Sequence, residues 1–219
     1  MSDIILTDIE WLPAIMPISL YRNNVCDYLD SQYRVFLKDF MNSSKPLLFE
    51  GIPVYIEDKL LDCSNCNFKC NNTHFKCEKC PYLDKYEIFQ HITSDKDLSL
   101  VLDKKYIKNC NKRKKKLNKR VPGIYNNNRT SKIHWIRKII ENHSDTDNVK
   151  FFKAPDKDDI NVINKYFWLY EKQFTVILAE RTLSNKKKVQ YLKTTYCVLW
   201  ESLEYDFKNK HQKYVRNPY

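Results

Sequence analysis

The hydrophobic positions in the first part of the chain follow a helical period. Within residues 27–41, apolar and aromatic side chains recur on one face, with charged residues between them. The members of this face are Leu29, Tyr33, Phe36, Leu37 and Phe40. Such a face is typical of a helix that packs on a core. Residues 1–45 are therefore predicted to form an N-terminal helical cap.

A second helical pattern lies further along, after a strongly basic stretch. Ser131 is a suitable N-cap, and the predicted helix runs from Lys132 to about His143. Its apolar side is formed by four isoleucines: Ile133, Ile136, Ile139 and Ile140. This second helix is also expected to pack on the core.

From residue 149 onward, the pattern changes to runs of β-branched and aromatic residues. Short Lys-rich or Asp-rich segments separate these runs, which lie at residues 149–152, 166–170, 174–178 and 189–200. A shorter run at residues 52–56 predicts one more strand. Sequential strands with short connections favour an antiparallel meander. The predicted fold class is α+β, with helices packed on an antiparallel sheet of four or more strands.

Charge is distributed unevenly along the chain. The formal net charge is +11, yet residues 1–62 hold ten acids and five bases, so residues 63–219 carry +16. Clustered Lys and Arg often neutralise phosphate, and nucleic acid is therefore the expected partner. The alternative is that these basic residues only solvate the surface. The residues expected to hold nucleic acid lie mostly in a basic loop at 104–120, and they are Lys112, Arg113, Lys114, Lys115, Lys116 and, on the helix, Arg137.

The composition excludes several classes of protein. The chain has only two glycines, which excludes a glycine-rich loop that cradles phosphate. No stretch reaches the roughly 18 apolar residues of a membrane span. The first residues are acidic, unlike a secretory signal. A cytoplasmic, reducing compartment is therefore expected, in which the eight cysteines are thiols or metal ligands.

Two pairs of cysteines predict a structural zinc site. The pairs are Cys63 with Cys66 and Cys77 with Cys80. Two intervening residues let each pair bend around one tetrahedral ion. A closed site of four sulfurs leaves no position for water, so zinc would stabilise the insertion at residues 63–80. Cys70 and His74 leave the ligand set open, and neighbouring lysines leave open a knuckle that contacts nucleic acid.

Three short segments carry side chains suited to cutting RNA without a metal. They contain His91, then Arg129 and Lys132, then Thr195 and Tyr196. Attack by the RNA 2′-hydroxyl needs a base, an acid and positive charge at the phosphate. A histidine can act as base or acid near neutral pH, and Arg or Lys supplies the charge. A structural histidine bonded to the backbone is the alternative for His91, and His134 is a second candidate for the proton transfer.

The three segments resemble those of the phage-borne nucleases of the barnase, EndoU, colicin and RelE superfamily. In order, they read Phe89-Gln-His91-Ile92-Thr93, Arg129-Thr-Ser-Lys132-Ile133-His134-Trp135-Ile136 and Tyr191-Leu-Lys-Thr194-Thr195-Tyr196. The resemblance covers roughly residues 46–200 and implies helices on an antiparallel sheet with metal-independent ribonuclease activity. The chain departs from that group at Gln90, where relatives often have an aromatic residue, and in its cysteine insertion.

The resemblance also implies roles for individual residues. His91 would be the general base or acid, and Arg129 and Lys132 would clamp the phosphate. Thr195 or Tyr196 would contact the phosphate or position the acid. The implied organisation is a cap at 1–45, a nuclease domain at 46–205 that contains the insertion at 63–80 and the loop at 104–120, and a basic tail or terminal helix at 206–219.

The sequence therefore predicts a metal-independent endoribonuclease, either a toxin or a phage-related effector, with structural zinc and no catalytic metal. RNA is the expected partner, and an inhibitory or immunity protein is a second candidate. The alternative is a zinc-stabilised nucleic-acid-binding protein without catalysis, or an inhibitor of a nucleic-acid enzyme, which would leave the three ordered segments unexplained. A metal-dependent nuclease would need a carboxylate cluster or a His-Asn-His set, which we do not find in the sequence.

Overall fold

The computed structural model describes residues 7–61, 82–94, 125–159, 161–198 and 201–216. Within these ranges the chain forms helices, strands and one short 3-10 helix, Ile18–Tyr21. The predicted zinc ligands Cys63, Cys66, Cys77 and Cys80 and the basic residues from Lys112 to Lys116 lie outside the described residues.

The N-terminal helix α1 spans Val25–Phe36 and continues as a π-helix, Leu37–Met41. It begins at Asn24, whose side-chain oxygen accepts from the amides of Cys26 and Asp27 at 3.0 and 3.3 Å. This cap satisfies amides that have no partner inside a helix. The helix predicted from residues 27–41 is confirmed.

Three short helices follow in the described part of the chain. They are α2 at Glu87–Thr93, α3 at Asn127–Thr130 and α4 at Trp135–Glu141. The four isoleucines predicted to face the core are all buried, although Ile133 lies in the turn before α4. The predicted start is wrong, however, since Ser131 closes α3 and a turn separates it from α4. The reason is that the Asn126 side chain accepts from the Arg129 amide at 3.1 Å and begins a helix earlier.

Six strands form one sheet in the order β1-β2-β6-β5-β4-β3. Their bounds are β1 Leu48–Phe49, β2 Ile52–Tyr55, β3 Val149–Pro155, β4 Val162–Leu169, β5 Phe174–Thr182 and β6 Lys188–Cys197. The predicted strands are all present, although their ends differ. Strands β3 to β6 form the predicted antiparallel meander.

The pair β2 and β6 is parallel, so the sheet is mixed. The described part of the long chain segment between these two strands contains three helices and three strands. A connection of that length allows a parallel pair, whereas a hairpin forces an antiparallel one. The predicted α+β fold class is confirmed, with this parallel pair as an addition.

The two faces of the sheet are covered differently. Helices α1, α2 and α4 pack on one face and form the main core with β4, β5 and β6. A smaller aromatic cluster lies on the other face, under the C-terminal helix α5 at Glu201–Arg216. The start of the predicted tail at residue 206 falls within α5. No helix in the described ranges is long and apolar enough to cross a membrane.

An ion-pair group around the buried Lys165 fixes the β1–β2 turn against the sheet. The ammonium of Lys165, only 1% exposed, lies 2.6 Å from the carboxylates of both Glu50 and Glu180. Lys188 lies 3.0 Å from the other oxygen of Glu180. Burial alone would raise the pKa of Glu180, but hydrogen bonds from Lys165 and Lys188 hold that pKa below its usual value. Stability here depends on the buried charges staying paired.

We expect Lys165→Met to lower the free energy of unfolding by about 3 kcal/mol, because it leaves two carboxylates without their buried cation. The matched control is Lys188→Met, at an ammonium that is 58% exposed, which should cost less than about 1 kcal/mol. Denaturant unfolding measures both values. Equal losses for the two variants would contradict this account.

Candidate functional site

The three segments singled out in the sequence meet at one junction, formed by the end of α2, the start of α3 and the last part of β6. Helix α2 is held in the core by Phe89, whose ring centroid lies 4.9 Å from that of Tyr33 and 5.6 Å from that of Phe36. Both α2 and α3 pack against β6. Residues far apart in sequence are therefore brought together.

Main-chain groups join α2 to α3. The carbonyl of Thr93 accepts from the Asn126 amide at 2.8 Å and from the Thr130 hydroxyl at 3.1 Å. Ser94 and Tyr125 form an isolated antiparallel bridge beside this contact. The end of α2 is thus fixed next to the residue that begins α3.

Arg129 links all three segments. Its side chain is buried, with 4% exposed. Nη1 donates to the Ser94 carbonyl at 2.8 Å, and Nη2 donates to the Thr195 carbonyl. A guanidinium remains charged in a protein, so its burial requires acceptors of this kind. The side chain that was expected to clamp phosphate is directed to protein carbonyls.

Thr195 faces the helices. Its hydroxyl is fully buried and donates to the Ile92 carbonyl at 3.4 Å. His91 precedes Ile92 on α2 and is half-buried. The junction therefore places the helix that carries His91 in direct contact with both Arg129 and Thr195.

A β-bulge in β6 decides which face Thr195 occupies. Leu192 pairs with Leu178 and Thr194 pairs with Ile177, so Lys193 is an extra residue in the strand. Without the bulge, Thr195 and Leu192 would lie on opposite faces, because side chains alternate along a strand. The Lys193 ammonium is held by the Asp156 carboxylate and lies 3.2 Å from the Asn164 side-chain oxygen.

Tyr196 lies on the opposite face of the sheet from Thr195. Its ring centroid is 5.7 Å from that of Phe207 on α5. Burial and the nearby Tyr166 raise the pKa of the Tyr196 phenol, and the charge of Arg129 opposes that shift. The structure therefore separates two neighbouring residues that the sequence grouped in one site.

The other basic candidates contact protein groups. The Lys132 ammonium lies 5.3 Å from the Trp135 ring centroid and 5.8 Å from that of Phe174. Arg137 donates through Nε to Glu141 at 2.7 Å, and its terminal nitrogens donate to the carbonyls of Asp39 and Lys45. Arg137 thus ties α4 to the end of the N-terminal helical segment. No group of three or more His, Cys, Asp or Glu residues in the described ranges could hold a metal ion.

Sequence reasoning missed Ser94, Thr130 and Lys193 as residues that shape the junction. The carbonyl of Ser94 accepts from Arg129, and the hydroxyl of Thr130 donates to the Thr93 carbonyl at the end of α2. Lys193 is the bulge residue that decides which side chains of β6 lie on each face. The run Thr93-Ser94 at the end of the His91 segment was the one available signal. Main-chain acceptors and bulges have no side-chain pattern in the sequence.

His134, the second candidate for proton transfer, holds the N-terminal segment instead. Its Nε2 lies 2.6 Å from the Ala14 carbonyl, and the neighbouring Trp135 indole donates to the Pro13 carbonyl at 2.7 Å. Burial lowers the pKa of this imidazole, and the hydrogen bonds to the Ala14 and Pro13 carbonyls only partly oppose that. The folded protein therefore favours the neutral ring.

We expect Arg129→Met to lower the free energy of unfolding by about 3–5 kcal/mol, because it removes two charge-assisted hydrogen bonds and leaves two buried carbonyls without their donor. The control Arg181→Met removes a guanidinium that is 49% exposed and should cost less than about 1 kcal/mol. Urea unfolding measures both variants. A loss of similar size at the two positions would contradict the role given to Arg129.

The lowered pKa of His134 predicts a pH effect on stability. The unfolded chain binds a proton near pH 6.5, whereas the folded chain resists it. The contribution of His134 is therefore complete above pH 6.5 and declines as the pH falls toward the lowered folded pKa. Thermal unfolding of His134→Gln and the parent protein between pH 8 and about 5 should show a shallower pH dependence for the variant. Parallel curves would contradict the assignment.

Comparison with known proteins does not identify a family for this chain. No family model matches the chain, and no curated protein or solved structure matches it. The case for a function therefore depends on the residues of this chain and on how its fold arranges them.

Proposed function

We propose that this protein is a metal-independent endoribonuclease, with the junction of α2, α3 and β6 as its active site. One observation carries the proposal. The helix with the candidate imidazole of His91, the guanidinium of Arg129 and the hydroxyl of Thr195 are held together by hydrogen bonds. The excess of +16 on residues 63–219 supports a polyanionic partner.

The proposed reaction is attack by the RNA's own 2′-hydroxyl. A base removes the 2′-hydroxyl proton, the 2′-oxygen bonds to phosphorus, and the bond from phosphorus to the 5′-oxygen breaks. An acid then protonates that 5′-oxygen, which leaves a 2′,3′-cyclic phosphate and a free 5′-hydroxyl. His91 is the candidate for one of the two proton transfers, because an imidazole titrates near neutral pH.

The contacts of Arg129 refine its proposed role. Its terminal nitrogens donate to the carbonyls of Ser94 and Thr195, so we assign it as a positioning residue that also supplies positive potential. A fixed charge in a poorly solvated site stabilises a transition state without reorganisation. Lys132 and Tyr196 remain candidates for contact with the RNA. The basic residues from Lys112 to Lys116 would bind the backbone without reading its sequence.

The proposal includes a structural zinc ion bound by Cys63, Cys66, Cys77 and Cys80. Thiolates at this spacing fit a closed tetrahedral site, which supplies stability and no catalytic water. A cytoplasmic compartment is the proposed setting, although Cys26 is disulfide-bonded, contrary to the expectation that all eight cysteines are thiols or metal ligands. A toxin or phage-related effector, controlled by an inhibitory protein, is the setting we propose.

The burial of Arg129 and Thr195 favours a second candidate function, in which the protein binds nucleic acid without cutting it. Arg129 and Thr195 are 4% and 0% exposed, and their hydrogen bonds hold the fold together. A zinc-stabilised protein that binds nucleic acid without cutting it would need these contacts as well. Cleavage, and not binding, therefore separates the two functions.

Labelled single-stranded RNA, incubated with the protein in excess EDTA, tests the proposal. We expect cleavage with 2′,3′-cyclic phosphate ends, and a loss of about 10²–10⁴-fold in rate for His91→Ala. The control His143→Gln removes an imidazole that packs on Phe49, at a centroid distance of 4.7 Å and away from the junction, and should retain activity. Circular dichroism in EDTA confirms that the protein stays folded.

The other outcomes are equally decisive. RNA that is bound but not cut supports the second function. Cleavage that appears only when magnesium is restored indicates a metal-dependent nuclease. Full activity in His91→Ala rejects the role of His91, and an all-2′-deoxy strand that is cut as fast as RNA rejects attack by the 2′-hydroxyl.

A further inference from the structure

A row of three side chains crosses the sheet beneath α5. Trp168 on β4 pairs with Thr175 on β5, and Thr175 pairs with Tyr196 on β6. Paired residues share a face of a sheet. Trp168 belongs to the aromatic cluster under α5, and Tyr196 packs against it. The three side chains are therefore neighbours on the face opposite Thr195.

Two hydrogen-bond donors in this row have no acceptor among the residues that the structure describes. Trp168 and Thr175 are 2% and 0% exposed. In the described residues, no atom accepts from the indole nitrogen of Trp168 or pairs with the hydroxyl of Thr175. Burying such groups without partners lowers stability, and most buried polar groups in proteins are hydrogen-bonded. Two cases on adjacent strands indicate a surface shaped for an acceptor that arrives from outside.

The cover over this row is held by one fully buried side chain, Phe207, and by the partly buried Leu203 and Tyr214. Phe207 is the one fully buried side chain among residues 201–215. Its ring centroid lies 5.3 to 6.1 Å from those of four rings on the sheet: Phe152, Tyr166, Trp168 and Tyr196. A helix with one fully buried side chain can separate from the sheet at a smaller cost than a helix of the main core, which buries several.

Basic groups of α5 lie over the same aromatic face. The Lys208 ammonium is 5.4 Å from the Tyr170 ring centroid, and that of Lys210 is 6.0 Å from the Tyr166 centroid. Single-stranded nucleic acid binds to surfaces that combine aromatic rings for its bases with positive charge for its backbone. The cluster under α5 offers both.

We propose that Trp168, Thr175 and Tyr196 form a nucleobase-binding platform for single-stranded RNA, and that α5 is a displaceable cover over it. When α5 moves, a base stacks on the aromatic rings, and the indole N–H and the Thr175 hydroxyl donate to its carbonyl oxygens. The basic side chains of α5 remain close to the backbone of the strand. This inference rests on the proposed function, since it identifies where the RNA of that reaction would be held.

Asn209 allows the cover to be loosened or tightened at one position. It lies within α5 and its side chain is exposed. Ala is the most favourable residue in a helix interior and Gly is among the least favourable. Affinity for a covered site scales with the fraction of molecules in which it is open. We therefore expect Asn209→Gly to bind a labelled 2′-O-methyl oligonucleotide, which cannot be cleaved, about fivefold more tightly than Asn209→Ala.

Two near-isosteric changes then test the donors in the Asn209→Gly protein. Trp168→Phe keeps an aromatic ring without the indole N–H, and Thr175→Val keeps the shape without the hydroxyl. Each should weaken binding about fivefold, as expected for one lost hydrogen bond. The control Thr182→Val removes an exposed hydroxyl at the end of β5 and should leave binding unchanged. Thr175→Val alone should also raise the thermal midpoint, because it removes an unsatisfied buried group.

Equal affinities of Asn209→Gly and Asn209→Ala, with both proteins folded by circular dichroism, would overturn the cover. Unchanged binding in both Trp168→Phe and Thr175→Val would overturn the platform. Cleavage in EDTA is measured on the same proteins. If none of them cuts RNA while the binding differences persist, the nuclease assignment fails and the platform stands.

Discussion

The buried guanidinium of Arg129 is the constraint on which the junction depends. A group that stays charged in the interior must be surrounded by acceptors, and Arg129 finds them in the carbonyls of Ser94 and Thr195. These residues lie 35 and 66 positions away along the chain. The hydrogen bonds of Arg129 therefore fix both the end of α2 and the last part of β6 to α3. Arg129 thus joins the end of the helix that carries His91 to the strand that carries Thr195.

Strand β6 connects the two surfaces with proposed functions. Thr195 contacts α2 on one face, and Tyr196 contacts Phe207 on the other. The bulge at Lys193 places Thr195 and Tyr196 on these two faces, and the ion pair with Asp156 fixes the extra residue. Burial alone would raise the pKa of Asp156, but hydrogen bonds from Lys193 and Asn164 hold that pKa far below its usual value. The junction and the proposed nucleobase-binding platform thus lie on opposite faces of one strand.

Much of the fold could be predicted from the periodicity of hydrophobic residues in the sequence. The isoleucine face of α4 and the aromatic strands β3 to β6 lie where their patterns indicate, because burial on one face imposes a period on the sequence. The first residue of α4 could not be predicted from this periodicity. Ser131 has the chemistry of an N-cap, yet its carbonyl accepts from the Met16 amide at 3.2 Å, while Asn126 begins a separate helix. The parallel pairing of β2 with β6 likewise joins residues too distant for any local signal.

The sequence by itself determined the fold class, the surplus of positive charge and the side-chain types in the three segments. Only the tertiary structure decided that Arg129 points inward, that Thr195 and Tyr196 occupy opposite faces, and that α5 covers an aromatic surface. The reason is physical. Side-chain type and period are local properties, whereas the acceptors of a buried guanidinium are main-chain carbonyls whose positions exist only after distant elements have packed. A bulge of one residue then decides which side chains share a surface.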